Sequence, residues 1–172
     1  MGLRKRLRPW AAGVLVGACS VARAGGAPEF SYMTLNGITQ VTSVLEGFST
    51  ELEGAGFRQQ AFATRLAARL AEAGLEVVSE EAARTLPGAA QVRLRLVVNK
   101  DPHGIYFYGV KLLVRQKIPL GNAAGGFVSQ VVWSDGQSGA LQFGEGGKSL
   151  RALDTVLDGL LQDYRQQNAG GR

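Results

Sequence analysis

Two apolar stripes of helical period constrain the fold of this chain more than any other feature. The clearer stripe predicts a helix over residues 150–166, and its members recur every three or four positions: Leu150, Leu153, Leu157, Leu160, Leu161 and Tyr164. A similar stripe of Phe62, Leu66 and Leu70 predicts a helix over residues 58–73 that ends at Gly74. Each helix has one apolar face that must be covered, so the chain has to supply an apolar surface for both.

The middle of the chain supplies that surface, because its side chains alternate with the period of a β-strand. Residues 92–98 predict one strand, residues 105–118 predict a longer one, and residues 101–104 predict a turn between them. The remaining predicted β-structure is a hairpin loop at 121–126, a return strand at 127–134, a turn at 135–136 and a short strand at 140–143.

The first half of the folded part has weaker patterns. They predict a strand at 41–45, a loop at 51–56, a short buried strand at 75–78 and a helical turn at 79–84 that Ser79 caps. Together with the two striped helices they predict an α+β fold, a two-layer sandwich. Its sheet is mostly antiparallel, with four or five strands, and the two main helices pack on one face.

The N-terminus has the three parts of a secretory signal peptide. Four basic residues lie among the first eight, and the apolar run over residues 10–18 is shorter than the roughly 20 residues of a membrane span. Small residues at 22 and 24 predict cleavage after Ala24 and export to the periplasm. The predicted domains are a signal peptide over 1–24, a flexible lead over 25–40, one α+β domain over 41–168 and a disordered tail over 169–172.

A second way of processing the N-terminus is open. The segment Val16-Gly17-Ala18-Cys19 is like a bacterial lipobox, and lipid attached to Cys19 would hold the domain at a membrane such as the outer membrane. Cys19 is the only cysteine, so the domain that remains after cleavage has no disulfide and depends on its core.

The net charge of +5 comes from the predicted signal peptide. Of the 19 Lys and Arg residues, five lie in residues 1–24, which contain none of the 14 Asp and Glu residues. The remainder has 19 − 5 = 14 basic and 14 acidic residues, so its global charge gives no reason to expect nucleic-acid binding.

The predicted order of strand, helix, strand, short helix, antiparallel strands and helix resembles small cell-envelope domains of the TolB N-terminal and LptE-like type. Residues 73–77, residues 106–116, Trp133 and the pair Asp163 and Tyr164 are also similar to uncharacterised exported bacterial proteins. The resemblance implies an interaction or assembly part of the envelope, and it carries over no functional residue.

One run of residues is like a phosphate-binding loop. Residues 144–149 end in Gly-Lys-Ser, but Gln142 stands where the motif requires its first glycine, from which the backbone wraps the phosphates. We therefore interpret this run as a flexible loop in which Ser149 is the N-cap of the last helix.

The other candidate catalytic groups favour a structural interpretation. His103 is the only histidine and lies in a Pro-Gly turn, whereas a metal site or a His-based triad needs further groups. The pairs Glu51 with Glu53 and Glu80 with Glu81 have acid–base chemistry but lie in polar stretches. We expect no catalytic residue, no metal and no cofactor, and a hydrolase with an unrecognised site is the third hypothesis.

The main candidate binding surface is the outer face of the predicted sheet. If Tyr106, Tyr108 and Val110 face the helices, the alternate side chains face outward. Antiparallel pairing with the preceding strand then groups basic and apolar side chains: Arg93, Arg95, Phe107, Lys111, Leu113, Arg115 and Lys117. Such a surface suits lipid head groups, anionic glycans or the acidic edge of a partner. The simpler interpretation is a solvated face covered by long side chains.

Two functions follow from these observations. The leading hypothesis is a non-enzymatic exported envelope protein that binds a protein partner as an interaction or assembly accessory, which predicts an exposed strand edge or patch. The alternative is a protein that binds lipid, another amphiphile or an anionic glycan. It predicts an apolar cavity of a few hundred Å³, or a basic patch that charge reversal at Arg95 and Arg115 would disable.

Overall fold

A computed structural model describes residues 34–86, 88–119 and 127–169. The predicted signal peptide with Cys19 and Ala24, residues 25–33 of the predicted lead, the hairpin loop at 121–126 and residues 170–172 lie outside these ranges. The strands are β1 (Gln40–Glu46), β2 (Glu76–Val77), β3 (Ala90–Lys100), β4 (Tyr106–Pro119) and β5 (Phe127–Leu141). The helices are α1 (Thr50–Gly54), α2 (Gln59–Glu72), α3 (Glu80–Thr85) and α4 (Leu150–Asn168), with a 3-10 turn at Gly146–Ser149.

The five strands form one mixed sheet in the order β2-β1-β3-β4-β5. The long ladders between β3, β4 and β5 are antiparallel, whereas the shorter ladders from β1 to β2 and to β3 are parallel. α2 and α4 pack side by side on one face of this sheet. The predicted two-layer α+β sandwich is confirmed. The parallel pairing of β1 with β2 and β3 was not predicted from the sequence, because side chains alternate in the same way in parallel and antiparallel strands.

The hydrophobic core lies between the two main helices and the inner face of the sheet. Both predicted stripes point into it, because Leu66 and Leu70 of α2 and Leu153 and Leu157 of α4 are completely buried. They meet the inward side chains of the two central strands: Val92, Leu94, Leu96, Val110, Leu112 and Val114. Each fully buried leucine contributes about 2 kcal/mol to folding.

The packed domain begins before residue 41. Leu35 and Ile38 are each 2% exposed and belong to the core. The hydroxyl of Tyr164 in α4 donates to the carbonyl oxygen of Ile38 at 2.9 Å, and the amide N–H of Leu35 donates to Oε1 of Gln167 at 2.6 Å. Part of the segment that the sequence suggested as a flexible lead therefore packs against the end of α4.

The short helix α3 lies on the opposite face of the sheet from α2 and α4. The chain passes from β1 to β2 through α1 and α2, and then returns across β1 to β3 through α3. These two parallel crossovers run in opposite directions, and right-handedness places their helices on opposite faces. Accordingly, Ala83 of α3 is buried, and the outward-facing Thr42 of β1 is only 5% exposed.

Two predictions in the first half are corrected. The loop expected at 51–56 is the short helix α1, where the hydroxyl of Ser49 accepts a hydrogen bond from the backbone N–H of Leu52 at 3.3 Å. A serine cap and the acidic residues Glu51 and Glu53 in the first turn favour this helix start. The strand expected to be buried at 75–78 is the two-residue edge strand β2, and both of its residues are exposed.

The turn expected at Asp135 and Gly136 is absent from the described residues, because β5 runs through this point as one strand of 15 residues. β4 has 14 residues and pairs with β5 along its length, so ladder hydrogen bonds outweigh the local turn preference. A Cβ at Gly136 would lie 3.0 Å from the carbonyl oxygen of Val110, so glycine here permits close pairing with β4. The ladder has one bulge, opposite Val114 and Arg115.

Two loops cross in contact beside the core at Gly56 and Gly146. The N–H of Gly146 donates to the carbonyl of Ala55 at 3.2 Å, and a Cβ on Gly146 would lie 2.4 Å from the carbonyl carbon of Gly56. The sequence predicts that Ser149 caps α4, but its side chain makes no capping hydrogen bond. The hydroxyl of Ser149 instead donates to the carbonyl oxygen of Gly146 within the same turn.

We expect Gly146→Ala to lower the free energy of unfolding by about 1–3 kcal/mol, because the added methyl group forces the two loops apart. Gly147→Ala is the matched control, since a Cβ at Gly147 meets no atom within 4 Å and its φ is not positive. Urea denaturation of both variants measures the difference. Equal losses in the two variants would contradict the close approach of the loops.

Candidate interaction surface

All seven residues of the predicted binding surface lie on the outer face of the sheet. The pairing of β3 with β4 sets Arg93 opposite Leu113 and Arg95 opposite Lys111. Most of the residues that alternate with them, such as Leu94, Val110 and Leu112, are core residues. The face is long, because Phe107 and Lys117 are ten positions apart on β4, or roughly 33 Å at 3.3 Å per residue. The seven residues therefore share a face, but they fall into three different environments.

The centre of this face is partly neutralised by Glu46. This residue lies at the end of β1 opposite Arg95, and its carboxylate accepts from Nη1 of Arg93 at 2.7 Å and from Nε of Arg95 at 3.1 Å. Lys111 is exposed nearby. Sequence reasoning missed Glu46, because its position beside the two arginines depends on the parallel pairing of β1 with β3.

One end of the face is covered by α3 and contains a pocket. The pocket has a volume of about 170 Å³ and lies between α3 and the outward side chains of β1, β3, β4 and β5. We call it the α3 pocket, and its lining residues are Thr42, Glu80, Ala83, Arg84, Ala89, Ala90, Gln91, Arg115, Gln116, Lys117 and Ser129. Two of the predicted basic residues, Arg115 and Lys117, are therefore pocket residues.

A second pocket of about 400 Å³ adjoins the α3 pocket. The two pockets share Arg84, Gln116 and Lys117, and the second one also contacts Leu86 and Phe127. The ammonium group of Lys117 donates to the carbonyl oxygen of Arg84 at 3.3 Å, which connects β4 to α3 at the boundary between the pockets.

The opposite end of the outer face is apolar. Phe107 is 51% exposed and Val97 is 50% exposed, and Val97 pairs with Gly109, which has no side chain to cover it. Arg95 lies at the centre of the face and Arg115 lies in the α3 pocket, so charge reversal at these two residues would change two separate sites.

The core of the described residues has no chamber for a ligand. The free space among Leu35, Leu70, Val92, Val114 and Leu160 is about 10 Å³, which is no more than one water molecule needs. An amphiphile carrier requires an apolar cavity of a few hundred Å³ between helices and sheet, and the space among these core side chains is far smaller.

The free edge of β5 is the longest exposed strand edge in the described part of the chain. β5 pairs with β4 on one side, and no described strand pairs with its other side. Most of its side chains are exposed, including Phe127 at 64% and Val128 at 43%. At the other edge of the sheet, β2 has only two residues.

The sequence resembling a phosphate loop has a structural role. Residues 146–149 form the 3-10 turn whose glycine contacts the loop at Gly56. A hydrogen bond from Lys148, together with one from the backbone N–H of Gln142, holds the pKa of Glu145 below its ordinary value. The lysine of the motif is thus paired with a carboxylate of its own loop.

The other candidate catalytic groups are at the surface. His103 is exposed, and its backbone N–H donates to Oδ1 of Asp101 at 3.0 Å within the predicted turn. Glu80 pairs with Arg84 at 3.0 Å, and Glu51, Glu53 and Glu81 are exposed. Within residues 34–86, 88–119 and 127–169 there is no group of three His, Cys, Asp or Glu side chains placed to hold a metal ion. No helix in these ranges is long and apolar enough to cross a membrane.

The comparisons with known proteins give distant similarity of structure. No family model matches the chain, and no curated protein sequence matches it. The chain is similar to a minor lipoprotein from Acinetobacter baumannii, at 13% identity and a TM-score of 0.35, over 77% of this chain and 94% of the other. It is also similar to a protein from Helicobacter pylori described as a neuraminyllactose-binding hemagglutinin homolog, at 9% identity and a TM-score of 0.34, over 77% and 88% of the two chains. Similarity at this level carries no argument about function, and the resemblance to TolB N-terminal and LptE-like domains stays a prediction.

We expect Glu46→Gln to lower the free energy of unfolding by about 0.5–1 kcal/mol, because it removes a carboxylate shared by two arginines at a half-buried site. The loss should shrink in 1 M salt, where the screening length falls to about 3 Å. Glu76→Gln is the control, since Glu76 is exposed on β2 and makes no ion pair with described residues, and the amide oxygen of the variant can still accept the hydrogen bond from Nε2 of Gln40. Urea denaturation at low and high salt tests this, and a loss that does not depend on salt would contradict the role given to Glu46.

Proposed function

We propose that this protein is a non-enzymatic exported envelope protein that binds a protein partner by adding a strand of the partner to the free edge of β5. The single observation that carries the proposal is the length and composition of this edge. In its 15 residues β5 has one charged residue, Asp135, and no lysine or proline. Natural proteins use lysine, proline or very short strands to prevent an exposed edge from pairing with other chains.

The two edges of the sheet differ in this respect. β2 ends after two residues, one of which is the charged Glu76, so this edge has the features that prevent pairing. β5 has two such features in its 15 residues, the bulge opposite Val114 and Arg115 and the charged Asp135. Beyond the bulge, the half of β5 from Ser134 to Leu141 pairs regularly with β4. A contrast of this kind supports a partner at β5.

The outward-facing side chains in the regular half of β5 leave space on the outer face for the side chains of an added strand. Its outward-facing residues are all small: Ser134, Gly136, Ser138 and Ala140. Main-chain hydrogen bonds give affinity in strand addition, and the alternate side chains decide which partner fits. We therefore propose that the partner's strand pairs with Ser134–Leu141. This half of β5 lies at the end of the sheet where the outer face is apolar, because Ala140 pairs with Phe107.

The cellular location is part of the proposal and rests on the N-terminal sequence. The basic segment, the short apolar run and the small residues before Ala24 support export. Lipid attachment at Cys19 is the other processing that the sequence allows, and it would add a membrane tether without changing the edge of β5. A protein partner in the envelope fits either form.

Site-specific photo-cross-linking in cells tests the proposed edge. We expect a photoreactive residue at Ser134 or Ser138 to give one discrete protein adduct. The same residue at Gln162 or Gln166, which are exposed on α4, is the matched control and should give none. Adducts of equal yield at all four positions, or at none, would contradict a partner at the edge of β5.

A pair of proline variants identifies strand addition as the mode of binding. Successive N–H groups of an antiparallel strand point alternately toward and away from its neighbour. Of Gln137→Pro and Ser138→Pro, one therefore removes a bond to β4 and lowers Tm, and the other removes only an outward donor. We expect the variant with the smaller change in Tm to lose the adduct. An adduct of unchanged yield in that variant would exclude pairing through this part of β5.

A further inference from the structure

We infer that the α3 pocket binds a phosphate-type oxyanion, which is held by Arg115 and Lys117 with Arg84 at the rim. This site lies on the outer face under α3, and the inference does not depend on partner binding at β5. Arg115 and Lys117 belong to the binding surface predicted from the sequence, and strand addition at β5 gives them no role. An oxyanion site would give them one.

The charges of the lining residues favour an anion. Arg84, Arg115 and Lys117 contribute three positive charges, and Glu80 is the only acidic residue that lines the pocket. The carboxylate of Glu80 is already paired with Nη2 of Arg84 at 3.0 Å, on an exposed part of α3. Two positive charges thus remain uncompensated in a pocket whose walls reduce their screening by solvent.

Arg115 differs from the other arginines that have a buried Nε. The Nε atoms of Arg69, Arg93 and Arg115 are all buried without a hydrogen-bond partner among the described residues. Arg69 pairs through its guanidinium with Asp158, and Arg93 pairs with Glu46. Arg115 makes no ion pair in the described part of the chain. Its planar group of N–H donors matches two oxygens of a phosphate or carboxylate.

The neutral groups of the pocket can also donate hydrogen bonds to an anion. Oε1 of Gln91 accepts from Nη2 of Arg93 at 3.1 Å, so the amide nitrogen of Gln91 is the part left to bind a ligand. The hydroxyl groups of Thr42 and Ser129 are further donors in the lining. With a volume of about 170 Å³ the pocket has room for several water molecules of about 30 Å³ each, and so for a tetrahedral oxyanion.

The adjoining pocket indicates that the oxyanion belongs to a larger molecule. It opens beside Lys117 and contacts the apolar side chains of Leu86 and Phe127. A phosphate ester bound by Arg115 would extend its substituent into this space. The same chemistry is found in a soluble phosphate ester and in the head group of an anionic lipid, and the experiment separates these two sources.

Titration calorimetry of the purified protein with inorganic phosphate, at constant ionic strength, tests the site. We expect saturable binding, and we expect Arg115→Gln to weaken it at least about tenfold, because a charge-assisted hydrogen bond is lost. Lys111→Gln is the matched control, since it removes the same charge from the same strand and face outside the pocket. Lys117→Gln, at an exposed position, gives a second reading should Arg115→Gln fail to fold.

Three results would overturn the inference. They are the absence of saturable phosphate binding, equal weakening by Arg115→Gln and Lys111→Gln, and unchanged phosphate binding in both Arg115→Gln and Lys117→Gln. The first result would show that phosphate does not bind. The other two would show that phosphate binds through the general charge of the face and that the lining of the α3 pocket has no specific role.

Sedimentation with vesicles identifies the source of the oxyanion. Binding to phosphatidylglycerol vesicles but not to phosphatidylcholine vesicles, if it is competed by inorganic phosphate and lost in Arg115→Gln, supports the site with a head group as its ligand. Phosphate binding with no vesicle binding supports the site with a soluble ester. Vesicle binding that neither phosphate nor Arg115→Gln reduces, together with no phosphate binding, would assign the basic residues to general membrane contact and overturn the site.

Discussion

The register between β3 and β4 is the constraint on which the rest of the structure depends. It sets Leu94 opposite Leu112 on the side of the helices, and Arg93 opposite Leu113 on the other side. A shift of one residue would exchange the two faces, and α2 and α4 would then meet charged side chains. The cost of exposing the apolar row and burying the basic one keeps the sheet in this register. That register makes one face the core and the other the face with the candidate binding residues.

The path of the chain around β1 then divides the outer face. Because the second crossover runs back across β1, α3 covers one end of this face and forms the α3 pocket over Arg115. The position of β1 beside β3 also places Glu46 within hydrogen-bond distance of Arg93 and Arg95. A surface that the sequence predicts as one mixed basic and apolar face thus consists of a partly neutralised centre, a basic pocket and an apolar end at Phe107. The proposed partner site at β5 and the proposed oxyanion site are separate parts of it.

Most of the long elements could be predicted from the sequence, and the errors have physical causes. The stripe on α4 and the alternation on β4 were clear, because each residue's environment repeats with the period of its own element. The helix at Thr50–Gly54 was missed because one short turn has too few residues to show a period. The residues Asp135 and Gly136 predict a turn because local propensity favours one there, whereas pairing with β4 keeps the strand continuous.

The sequence by itself determined which side chains share a face within β3, and which share a face within β4. This follows from alternation alone and needs no knowledge of neighbouring strands. Only the tertiary structure decided that Glu46 pairs with Arg93 and Arg95, that α3 covers Arg115, and that β5 has a free edge. These relations depend on strand order and on the face that each crossover takes, because both bring together residues that are far apart in the chain.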